Sequence, residues 1–84
     1  MVQRSRTKDE KFILALYDEA LNLGDACHPV DRYFIGKRLG MHKHAIDMVC
    51  RDLAQSNFIK KEEDSDAVYI TPNGLRLIDH LNDT

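Results

Sequence analysis

Four polar side chains, Lys43, His44, Asp47 and Arg51, recur at helical spacing in the middle of this 84-residue chain and are its best candidates for chemistry. Their types narrow what that chemistry is. A guanidinium offers paired donors to a guanine edge or a phosphate, an ammonium acts as a point charge, and a carboxylate only accepts, for instance from a cytosine amino group. His44 and Asp47, three apart, also invite an acid–base reading. That reading needs a third group, a pocket and a cofactor motif, none of which the sequence supplies, so no enzyme is expected. Cys27-His28 with His42 and His44 matches no zinc spacing, and Gly36 and Gly40 belong to a helix and a turn rather than a phosphate-binding loop. Neither a metal nor an organic cofactor is expected.

The elements that must hold these side chains can be read around them. Ile46, Val49, Cys50 and Leu53 fall three and four apart, one face of a helix over residues 43–55, with Lys43, His44, Asp47 and Arg51 opposite and Met48 at the margin. Upstream, Ile35-Gly36-Lys37-Arg38-Leu39 forms a short helix that closes at Gly40, where a left-handed residue ends it, and Met41 then packs inward. Two helices joined by such a turn make a helix-turn-helix, whose second helix can enter a DNA major groove. A plain helical hairpin with a solvated charged face is the simpler alternative.

Size and charge set bounds. A chain of 84 residues is one small domain without room for a deep cavity, and no stretch approaches the roughly 20 apolar residues of a membrane span. Residues 1–6 run into charge rather than an apolar segment, so no signal peptide is expected and the cytoplasm is the default location. The net charge of −2 conceals a strong asymmetry. Residues 32–61 hold seven basic and two acidic residues, +5, whereas residues 62–84 come to −5. The basic part coincides with the helix-turn-helix, which bears on association rather than fold.

Taken in order, residues 1–7 read as a flexible arm carrying Arg4 and Arg6, and residues 8–83 as a single domain. Thr7 and Glu10 form a capping box for a first helix whose stripe is Phe12, Ile13, Leu16, Tyr17, Ala20 and Leu21, ending at Gly24. Asp31 caps the second helix, with Phe34, Ile35 and Leu39 expected inward and Val30 covering its start. Asn57 suits a left-handed cap after the third helix. Residues 58–61 and 68–71 are short β-prone runs around a polar loop, hence a two-stranded hairpin. Thr71-Pro72 opens a last helix that buries Leu75, Leu77, Ile78 and Leu81. The expected class is α+β, mainly α.

This order of elements over residues 8–82 resembles the winged helix-turn-helix domains of small prokaryotic transcription regulators. The resemblance rests on residues 35–41, on Leu53 through Asn57-Phe58-Ile59, and on Tyr69-Ile70-Thr71-Pro72-Asn73-Gly74, which is similar to a final wing strand entering the last helix. It implies a three-helix core, a two-stranded wing and a closing helix, with residues 43–55 as the recognition helix. Lys43, His44, Asp47 and Arg51, with His42 at the helix start, would then face bases or phosphates, Lys37 and Arg38 flanking phosphate, and Lys60 and Lys61 the backbone. The implied partner is double-stranded DNA, with a homodimer expected because one module this size buries little interface. The alternative is a protein-interaction module whose wing, carrying Glu62, Glu63, Asp64 and Asp66, or an exposed helix face docks a partner protein.

Overall fold

Thr7 Oγ1 accepts from the Glu10 amide at 3.1 Å while the Glu10 carboxylate accepts from the Thr7 amide at 2.8 Å, and this reciprocal cap starts α1 (Lys8–Asn22). The structure, a computed structural model, describes residues 6–83. Most of the expected arm, Arg4 included, lies outside the described residues. Arg6, at its end, donates to the Leu81 carbonyl at 3.5 Å.

Helix α1 buries Phe12, Ile13, Leu16 and Ala20 and packs against all the other helices, so it is the spine of the core. Leu21, expected on the same stripe, is exposed, because the step from Ala20 turns it about 100° off the buried side. Asp31 caps α2 (Arg32–Arg38) by accepting from the Tyr33 amide at 2.8 Å. This helix of two turns sends only Ile35 and Gly36 inward. Phe34 is 48% exposed and Leu39 is exposed too, a correction to the inward set. With so few residues the helix has one buried turn, and Phe34 is instead covered by the Arg38 guanidinium, 5.5 Å from its ring centroid.

Helix α3 (Lys43–Gln55) lies on α1 and α2 through Ile46, Val49, Cys50 and Leu53, as its spacing requires. Asn57, with φ of 63°, turns the chain out of it. The sheet departs from the expected two-stranded hairpin. Besides β2 (Ile59–Lys61) and β3 (Ala67–Ile70) it contains β1 (Val30–Asp31), which pairs antiparallel with β3 through Val30 opposite Val68 and Asp31 opposite Ala67. The order is β1-β3-β2, with Ile59 opposite Ile70 and Lys61 opposite Val68. Val30, Ile59, Val68 and Ile70 are buried, so the inner face of the sheet closes the core under α1 and α3. Helix α4 (Pro72–Asn82) follows directly, capped by Thr71 Oγ1, which accepts from the Gly74 amide at 3.0 Å and donates to the Asn57 carbonyl at 2.5 Å. It buries Ile78 and Leu81, with Leu75 and Leu77 partly covered. The described chain is therefore a mainly helical α+β fold of four helices and a three-stranded antiparallel sheet. No helix among the described residues is long and apolar enough to cross a membrane.

Candidate functional site

The turn that aims α3 is fixed by backbone bonds rather than by side chains. Gly40 takes φ of 74°, and the amides of Leu39 and Met41 both donate to the Gly36 carbonyl, at 3.0 and 2.9 Å. The chain then re-enters helix at His42, whose side chain makes no capping bond. Because the back of α3 is buried on α1 and α2, the residues it offers to solvent are determined. His44, Met48, Arg51 and Gln55, spaced four, three and four and all exposed, form its crest, with the exposed Lys43, Asp52 and Ala54 to either side. Met48, expected at the margin, is 41% exposed and lies within this crest. Gln55 was not singled out from the sequence, although its spacing from Arg51 places it on the same face.

Asp47 sits apart from the crest. Its Oδ1 accepts from the Tyr33 hydroxyl at 2.6 Å, its Oδ2 accepts from Lys43 Nζ at 3.2 Å, and Arg32 Nη1 lies 4.0 Å away. Lys43 Nζ and the Arg32 guanidinium also stand 5.3 and 5.6 Å from the Tyr33 ring centroid. The Tyr33 hydrogen bond, with Lys43 and Arg32 behind it, holds the Asp47 carboxyl below its ordinary value. The same bond raises Tyr33, and the Asp47 carboxylate raises Lys43. Four side chains thus join the start of α2 to the first half of α3.

The remaining basic residues divide by partner. Arg38 pairs with Glu19 of α1 at 3.0 Å. The side chains of Lys37, Lys60 and Lys61 are exposed and without a hydrogen bond or ion pair among the described residues, and so are those of His42 and His44. Arg51 and Lys61 both line an open groove of about 450 Å³ between α3 and the sheet, with Arg32, Tyr33, Asp47 and Asp66. His42, with Lys8, Lys11 and Leu39, borders a smaller hollow of about 250 Å³ at the other end of α3.

The loop after β2 folds back on itself. The Glu62 amide donates to the Ala67 carbonyl at 2.9 Å, the Ala67 amide donates to Ser65 Oγ at 2.9 Å, and Asp64 takes φ of 55°. The Arg32 amide and Nε both donate to the Asp66 carbonyl at 3.1 Å, clipping the loop to the start of α2. The carboxylates of Glu62, Glu63, Asp64 and Asp66 point to solvent with no partner among the described residues. No cluster of three or more metal-ligating side chains occurs among the described residues.

No protein-family model, curated protein or solved structure matches the chain.

Proposed function

We propose that this chain is a winged helix-turn-helix module that binds double-stranded DNA sequence-specifically as a small transcription regulator. In this reading α2, the Gly40 turn and α3 are the helix-turn-helix, β2 and β3 with their loop are the wing, and α3 enters the major groove. The observation that carries the reading is the crest of α3. Its back is buried, while His44, Met48, Arg51 and Gln55 face solvent beside the uncommitted Lys61, a set able to meet base edges and phosphate together. A dimer would double the interface, since one small module buries little.

Fluorescence anisotropy with random-sequence duplex DNA, at low and at near-physiological salt, tests it. The expected result is binding that weakens steeply with salt, because each neutralised phosphate releases counterions. Absence of binding at low salt would sink the proposal. The solvent-facing carboxylates of Glu62, Glu63, Asp64 and Asp66 favour a second reading, in which the wing docks a basic protein surface. Retention of one partner protein by the wild-type chain, and its loss on reversing those charges, would distinguish that case.

A further inference from the structure

Three guanidinium groups stand around α2, α3 and the sheet, and they are not equivalent. Arg32 is held by the Asp66 carbonyl at 3.1 Å, with its side chain 12% exposed, and Arg38 is held by Glu19 at 3.0 Å. The Arg51 side chain makes no hydrogen bond or ion pair among the described residues and is exposed on the crest of α3. The carboxylates of α3 flank the crest, Asp47 on one side and the exposed Asp52 on the other. Asp47 is engaged by Tyr33 and Lys43, and Asp52 lies on the flank beside Asp9 of α1, whose carboxyl it helps to raise. The solvent-facing half of α3 therefore offers the duplex a free planar donor pair and no free carboxylate at its centre.

We propose that Arg51 specifies guanine, and that Asp47 is a positioning residue that fixes α3 against α2 rather than a reader of cytosine. The assignment rests on the DNA reading above. Guanine presents O6 and N7 as adjacent acceptors on its major-groove edge, and the guanidinium fork meets both at once. Gln55 lies one turn beyond Arg51, about 6 Å along the helix, or roughly two base pairs along a groove. Its amide suits the N6 and N7 edge of adenine, and Met48, on the preceding turn, suits a thymine methyl. The preferred site is thus a guanine with an adenine within about two base pairs.

Selection from randomised duplexes, followed by anisotropy on the enriched site and its single-base variants at fixed salt, tests the assignment. Arg51→Ala should abolish the preference at one guanine, a loss of roughly fivefold or more, while random-sequence binding falls far less. Arg51→Lys keeps the charge without the fork and should lose the same preference. Asp47→Ala should weaken binding to all sites alike and change the preference at none, and Asp47→Asn, which still accepts from Tyr33, should restore affinity. Should Asp47→Ala destabilise the chain too far to assay, the profile of Asp47→Asn decides, because at a base-reading position the amide's donor and acceptor would shift the preference toward adenine, whereas a positioning residue leaves it unchanged. No duplex binding by the wild-type chain overturns the DNA reading and this assignment with it. Binding with no base preference overturns the sequence specificity of that reading together with the assignment, whereas a guanine preference that survives Arg51→Ala, or a cytosine preference lost with Asp47, overturns the assignment alone.

Discussion

The Tyr33 hydroxyl donates to Asp47 Oδ1 at 2.6 Å, and this one bond joins the first turn of α2 to the first half of α3. Tyr33→Phe should lower the urea midpoint, and Asp47→Ala should lower it further by leaving Lys43 without its acceptor. The loss should depend on pH. Because the folded state holds Asp47 below the ordinary 3.8, that state binds fewer protons than the unfolded chain on the acid side. The contribution is complete above about pH 4 and is lost as the pH falls through the folded value, so Tyr33→Phe should cost more at neutral pH than near about pH 2. Asp9 acts in the opposite sense. Burial, then Asp52 and Glu10, raise it, so its ionisation opposes folding as the pH rises through its folded value. Urea titrations of wild type, Tyr33→Phe and Asp9→Asn across the acid range separate the two.

At Gly36 and Gly74 the chain packs too closely to admit a Cβ. A Cβ at Gly36 would meet the Ile46 side chain, and one at Gly74 would meet the Phe58 carbonyl oxygen. The Ile46 contact is with a side chain, which can give by a small shift, and the Phe58 contact is with backbone, which gives less. Gly36→Ala should therefore cost about 1–3 kcal/mol by overpacking, and Gly74→Ala more than that. Thermal melts of the two variants check the order.

The two cysteines should differ sharply in reactivity. Cys50 is 4% exposed, and burial pushes its thiol up to about 11, so almost no thiolate forms at neutral pH. Cys27, in the connection before β1, is only partly covered. A chromogenic disulfide reagent should titrate one thiol in the folded protein and both after unfolding. Raising the pH from 9 toward 11 should also destabilise the fold, because the unfolded chain then releases the Cys50 proton before the folded one does.

The wing carboxylates should oppose DNA binding rather than assist it. Neutralising them with Glu62→Gln, Glu63→Gln and Asp64→Asn should raise affinity for random duplex several-fold at low salt, with the gain shrinking as salt is added. Asn tolerates the left-handed backbone of Asp64, so the loop should keep its shape. Anisotropy at two ionic strengths gives the answer, and unchanged affinity would mean that the loop tip stands clear of the duplex.

Most of the fold was legible where local signals agree. The Thr7 and Glu10 cap, the Asn57 turn, the Thr71-Pro72 start and the stripe of α3 each state their structure within a few residues. Strand β1 was not, because two residues carry no alternation and its existence depends on Val68, far along the chain. Phe34 and Leu39 misled for a related reason, since a helix of seven residues has too few positions to define a face. At the candidate site, spacing located the outward half of α3 but placed Asp47 in it. What draws Asp47 aside is Tyr33, fourteen residues away on another helix, a pairing that no periodicity announces. Pairing also removed Arg38, through Glu19, from the free guanidinium groups of α2 and α3, leaving Arg51.

With β3 in the middle, the sheet has two outer rims, and neither is fit to recruit another strand. One rim is the two-residue β1, which follows Pro29 and ends in Asp31. The other is β2, three residues long, two of them exposed lysines. Short, charged rims deny a neighbouring chain the continuous row of backbone partners that ribbon-like aggregation requires. Lys60 and Lys61 therefore guard the solubility of the folded chain whatever they contact in function, and replacing both with valine should turn a quiet edge into a sticky one.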